Sequence, residues 1–137
     1  MPQHFKRWRF WKRWFGRRSE RAAARHLRFL GWRIVGSNVS DPLGEIDLLA
    51  IDGDTLVIVE VRSTSTTNPH LPATSVDYAK QKKLTEATVR FLGRRGLLGV
   101  SYRFDVLALS WPLEQREPTV LHIRHAFEPT GKFQMFS

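Results

Sequence analysis

Two apolar runs joined by a tight turn constrain this chain more than anything else in it. The first is Gly44-Glu45-Ile46-Asp47-Leu48-Leu49-Ala50. Asp52-Gly53-Asp54 follows, and then Thr55-Leu56-Val57-Ile58-Val59-Glu60-Val61-Arg62. Runs rich in Val, Ile and Leu, bounded by Gly and Asp, read as neighbouring strands of a hairpin. Side chains in a strand alternate between faces, so Leu56, Ile58, Glu60 and Arg62 share one face, and Val57, Val59 and Val61 the other. Both faces are largely apolar, which predicts a central strand covered on both sides. Each strand nevertheless carries a carboxylate, Asp47 or Glu60. A carboxylate in such surroundings is held neutral, paired or bound to a metal. A four-residue loop over 52–55 pairs Ile51 with Leu56 and sets Asp47 opposite Glu60, with Cβ atoms about 5 Å apart. A loop two residues shorter leaves them diagonal on one face, and a three-residue loop breaks the alignment.

The 137 residues suffice for one domain with a real core. The absence of Cys excludes disulfides, Cys-based zinc sites and thiol nucleophiles, and fits a cytoplasmic location. No apolar run approaches the roughly 18 residues of a membrane span, so no integral membrane insertion is expected. The formal charge of +9 is unevenly placed. Seven of the 22 Lys and Arg residues lie in 1–18 with no acid, so the remaining 15 face 13 acids. Residues 1–18 therefore read as a basic, aromatic N-terminal extension, 19–127 as the α/β domain and 128–137 as a tail. Trp8, Trp11 and Phe15 fall on one helical face of the extension. Contact with an anionic lipid surface, contact with nucleic acid, and simple cover for a patch on the domain remain equal readings of it.

Ser19 predicts an N-cap for a helix running to Leu30, with Ala23, Leu27 and Leu30 buried and Gly31 ending it. Glu20 falls in its first turn, where the helix dipole favours a carboxylate. Trp32–Val35 reads as a short strand and Asn38–Leu43 as a loop. Residues 63–75 show no period and read as a loop. Ser75 predicts the cap of a second helix from Val76 to about Leu92, closed by Gly93 and Gly96. Tyr102–Leu109 and Thr119–His125 read as strands. Asp105, the lone acid of its strand, reads as the structural partner of a buried Arg or amide. The five His residues show no metal-ligand spacing.

Paired carboxylates suit phosphodiester hydrolysis, which needs a divalent cation to polarise phosphate and acidify water. Mg²⁺ or Mn²⁺ fits, since hard cations take one or two carboxylates plus carbonyl, water and phosphate oxygens. Asp47 and Glu60 supply the acids, the Val61 carbonyl a further oxygen, and Arg62 positive charge. On the residues alone, ion pairing of Asp47 and Glu60 with Arg62 and Arg103 is an equal reading.

Asp47, then Glu60 a dozen residues on, then a basic residue at 62 resembles the PD-(D/E)xK nuclease superfamily. Gly44-Glu45-Ile46-Asp47-Leu48, Val59-Glu60-Val61 and Arg103-Phe104-Asp105-Val106 together resemble the YraN family of small bacterial proteins over about residues 16–127. The resemblance implies a restriction-endonuclease-like α/β fold: a mixed central sheet flanked by helices, in the order αβββαββ. It implies nucleic acid, DNA or RNA, as partner. It makes Asp47 and Glu60 metal ligands, brings Glu20 toward the metal, and sets Lys80 and Gln81 near the substrate backbone. Lys83, one turn further along, extends that substrate-binding set. The superfamily's Lys is Arg62 here, and Ser40 and Thr64 stand where relatives often show Arg. Arg stays protonated and cannot act as a base. A non-catalytic nucleic-acid-binding module is therefore one alternative, and a membrane-surface or partner-docking protein led by residues 1–18 is another.

Overall fold

A computed structural model describes residues 18–64, 76–111 and 116–130. The elements are α1 (Arg18–Phe29), β1 (Arg33–Asp41), β2 (Gly44–Asp52), β3 (Thr55–Thr64), α2 (Tyr78–Arg94), β4 (Tyr102–Ser110) and β5 (Thr119–Phe127). They build one mixed sheet in the order β1-β2-β3-β4-β5. Every neighbouring pair is antiparallel except β3 and β4, which run parallel. A parallel pair needs a long crossover, and α2 lies in that connection. The α/β class, the mixed sheet and the element order agree with the sequence expectation.

The alternation in β3 explains why the sheet carries a helix on each face. Leu56 and Ile58 pack with Leu84, Phe91 and Leu92 of α2, while Val57 and Val59 pack with Ala22, Ala23, Ala24 and Leu27 of α1. Small Ala residues let α1 approach the sheet closely. Gly31 (φ 85°) ends that helix. The Gly31 N–H donates to the Arg28 carbonyl (2.9 Å) and the Trp32 N–H to the Leu27 carbonyl (3.1 Å), satisfying helix-end carbonyls.

Three local expectations need correction. Asn38–Leu43 is not a loop: β1 continues to Asp41, and only Pro42 and Leu43 turn the chain into β2. The strand was hidden because Gly36, Ser37, Asn38 and Ser40 are poor strand formers, and pairing with β2 overrides their propensity. Asp77 caps α2, its Oδ1 accepting the Lys80 N–H at 2.9 Å, so the helix starts two residues later than expected. Ser19 lies inside α1, where its Oγ accepts the Trp111 indole N–H at 2.8 Å.

Two charged clusters tie elements together. Asp41 Oδ2 receives Arg90 Nε and Arg94 Nη1, both at 3.2 Å, pinning the β1–β2 turn to α2. Asp105, fully buried, receives Arg103 Nε (3.0 Å), His122 Nε2 (2.9 Å) and the His125 backbone N–H (3.0 Å). Burial pushes its carboxyl up, but these donors outweigh burial and hold it below the usual carboxylate range. The structural role read for Asp105 is the one found.

Candidate functional site

The β2–β3 ladder runs from Asp52↔Thr55 through Ile51↔Leu56 to Leu48↔Val59. The connection is tighter than a four-residue loop, only Gly53 and Asp54, but the register is the one that sets Asp47 opposite Glu60. At that step the ladder opens. Instead of a backbone carbonyl, Asp47 Oδ2 accepts the Val61 N–H, at 2.8 Å. On the other side of β2, the pairs Ser37↔Leu48 and Val39↔Ile46 flank a gap at Asn38 and Asp47. Asn38 there has φ 48°, a left-handed conformation that Asn tolerates better than most residues. The interruption also breaks the two-residue alternation: Ile46 and Leu49 belong to the α2-side core, and Leu48 to the α1 side.

The opening brings the two carboxyl groups within hydrogen-bonding reach of each other. Glu60 is only 3% exposed. Burial, and then the neighbouring Asp47 charge, push its carboxyl up to about 8, against the pull of Lys80 and Arg62. Burial raises Asp47 as well, although the Val61 N–H and the bond shared with Glu60 oppose it. Two acids this close, one of them buried, cannot both ionise cheaply unless a cation joins them. Glu60 Oε2 is buried with no hydrogen-bond donor among the described residues.

Two cations reach the other Glu60 oxygen. Arg62 Nε lies 3.3 Å from Oε1, and Lys80 Nζ of α2 lies 3.7 Å from the same atom. Arg103, the other cation considered for this pair, binds Asp52 and Asp105 instead. Gln81 donates its side-chain N–H to the Val76 carbonyl (3.1 Å), bracing the chain that enters α2. Lys83 is exposed one turn on, its Cβ about 3.8 Å from where a Gly44 Cβ would stand. Glu20 is buried in the first turn of α1. Asn38 Nδ2 bridges Glu20 Oε1 (3.4 Å) and Glu45 Oε1 (3.2 Å). Asp47, Glu60, Arg62 and Lys80 are thus brought together, with Glu20 approaching from the α1 side through Asn38. Among the described residues, no three acidic or His side chains form a group that could hold a metal. The acid pair fits a cation as a two-carboxylate set with an unsatisfied buried oxygen, completed by carbonyl, water or phosphate.

Sequence reasoning missed two features. Asn38 reads from the sequence only as the start of a loop, because a left-handed residue inside a strand leaves no periodic signal. Lys80 was assigned to substrate alone, since only the folded crossover brings α2 over Glu60. The basic extension lies outside the described residues, apart from Arg18, which opens α1. Among the described residues, no helix is long and apolar enough to cross a membrane.

Residues 19–109 match the model of a family described as "Uncharacterised protein family UPF0102". The chain belongs to this family. A UPF0102 protein of Rhodopirellula baltica is 45% identical over 119 residues, covering 85% of this chain and 71% of the relative. One from Geobacter sulfurreducens is 40% identical over 113 residues, 82% of this chain and 88% of the relative. One from Moorella thermoacetica is 41% identical over 112 residues, 82% and 93%. UPF0102 is the YraN family of the sequence resemblance. Its matched span includes Glu20, Asp47, Glu60, Arg62, Lys80, Gln81 and Lys83.

Proposed function

We propose that this UPF0102 protein binds nucleic acid and hydrolyses phosphodiesters with Mg²⁺ or Mn²⁺ held by Asp47 and Glu60. The observation that carries the reading is the convergence of the buried Glu60 carboxyl and the half-buried Asp47 carboxyl at a local opening of the sheet. The bound ion would polarise the scissile phosphate and acidify a water. Asp47 and Glu60 hold it, and the Val61 carbonyl offers a further oxygen. Arg62 and Lys80 neutralise charge developing on the phosphate. A guanidinium cannot serve as a base, so Arg62 acts only through its charge. Glu20 contributes negative charge from the α1 side. The exposed Lys83, and Gln81 beside it, extend the site toward the substrate backbone.

The partner assignment rests on charge. Arg18, Arg21, Arg25 and Arg28 follow one another at helical spacing on the exposed side of α1, whose first turn also carries Glu20. Such a row offers repeated contacts to backbone phosphates and carries no base preference. This reading places the protein in the cytoplasm.

Mn²⁺ is expected to raise the melting temperature of the wild type and leave that of Glu60→Ala unchanged. Equal shifts count against the site. Cleavage of single-stranded, duplex and branched DNA and RNA, with and without Mn²⁺, tests the reaction itself. Arg62 at the superfamily's Lys position favours one second reading, a binding module that has lost the reaction. Arg62→Lys separates the two: new or faster metal-dependent cleavage supports the nuclease, and binding without cleavage in both proteins supports the module.

A further inference from the structure

A chain of hydrogen bonds leads from the core to the solvent at the other end of α1. His122 Nε2 meets Asp105 Oδ2 at 2.9 Å, and His122 Nδ1 meets His26 Nε2 at 3.1 Å. Asp105 is ionised, since Arg103 and the His125 N–H also donate to it. It must therefore accept from the His122 Nε2–H, and a neutral His122 ring then presents a lone pair on Nδ1. The bond from His26 fills that lone pair. The two rings stand edge to face, with centroids 5.2 Å apart and planes at 70°. His26 borders a groove of about 360 Å³ between α1 and the start of β5, into which Glu117 also projects.

We propose that His26 Nε2 and His122 Nδ1 form a two-imidazole site for a borderline divalent transition cation of the Zn²⁺, Co²⁺ or Ni²⁺ type. Two imidazole nitrogens on one tetrahedral metal stand roughly 3.3 Å apart, given metal–nitrogen bonds of about 2.0–2.1 Å. The observed 3.1 Å needs only a small opening and a tilt of the rings. Asp105 supplies the carboxylate that metal-bound His residues use to fix their tautomer. Proton balance is simple. His122 keeps its Nε2 proton on Asp105, while the His26 proton moves from Nε2 to Nδ1 through solvent. Water supplies the remaining ligands, since Glu117 is held by Arg25, 3.4 Å away. Arg124, whose charge acts on His26, opposes the cation and keeps the site weaker than a three-ligand one. A metal here fastens α1 to β5, and so holds the helix that carries Glu20. The site is independent of Asp47 and Glu60 and differs in metal class, nitrogen donors against oxygen donors.

The test is an imidazole ¹H–¹⁵N spectrum of the full chain, without an affinity tag, titrated with Zn²⁺ and separately with Mg²⁺. Zn²⁺ is expected to shift His122 Nδ1 and His26 Nε2 to metal-bound positions, and Mg²⁺ to move neither. The Zn²⁺ shift at His122 disappears in His26→Ala and persists in Glu60→Gln. Zn²⁺ shifts confined to His4, His70 or His125 would overturn the proposal, as would a His122 shift that survives His26→Ala or vanishes in Glu60→Gln.

Discussion

Glu60 is a carboxyl group whose folded environment prefers it protonated. Its pKa is raised from 4.5 to about 8 by burial and by Asp47. Below the unfolded value both states hold the proton, and the shift has no effect. Between about 4.5 and 8 the unfolded chain releases it first, so the native state binds more protons and stability falls as pH rises. Metal-free protein is expected to lose stability across this window in urea titrations. Glu60→Gln flattens the loss, and saturating Mn²⁺ at pH 8 restores stability to the wild type alone. Asp105 behaves in the opposite sense. Its charge is paired to Arg103 and His122, and Asp105→Ala leaves the half-buried Arg103 without that partner. Breaking a buried pair in this way costs about 3–5 kcal/mol, to be read from the urea midpoint.

At the scale of elements, the sheet opens where the pairing of β1 with β2 is interrupted at Asn38 and Asp47, with the same register on either side. An Asx residue in a left-handed conformation is strained when replaced by a β-branched one. Asn38→Val is expected to destabilise the fold by about 1–3 kcal/mol, and to weaken Mn²⁺ binding by closing the gap that exposes Asp47. Asn38→Gly keeps the backbone but drops the bridge between Glu20 and Glu45. Comparing the two variants separates backbone from side chain. The start of α2 matters equally, because it delivers Lys80. Asp77→Ala removes the cap at a cost of about 1 kcal/mol, visible as a lower thermal midpoint.

For the whole molecule, charge decides what is met in solution. Replacing Arg21, Arg25 and Arg28 together by Gln should weaken binding to oligonucleotides and flatten its salt dependence. Each lost phosphate contact should remove roughly 0.9 from the log–log slope on duplex. The Mn²⁺-induced rise in melting temperature should survive, since these side chains lie on the outer side of α1. An unchanged slope means that the row is only a solvated helix face.

The amino-acid order by itself determined the central hairpin. Val, Ile and Leu at every position of 56–61 except Glu60 admit only a strand buried on both faces, and the two-residue period then fixes which side Glu60 and Arg62 share. That Asp105 has a structural basic partner also followed from a lone acid in an apolar strand. Tertiary structure decided the rest. It drew the polar stretch 38–41 into β1, because a sheet edge next to β2 leaves backbone groups to satisfy. It opened the ladder at Asp47 and carried Lys80 across the crossover to Glu60. It also set His26 beside His122, 96 residues apart along the chain. Local periodicity reports what one segment buries, and it carries no information about which distant side chains the packed helices bring to the same few ångströms.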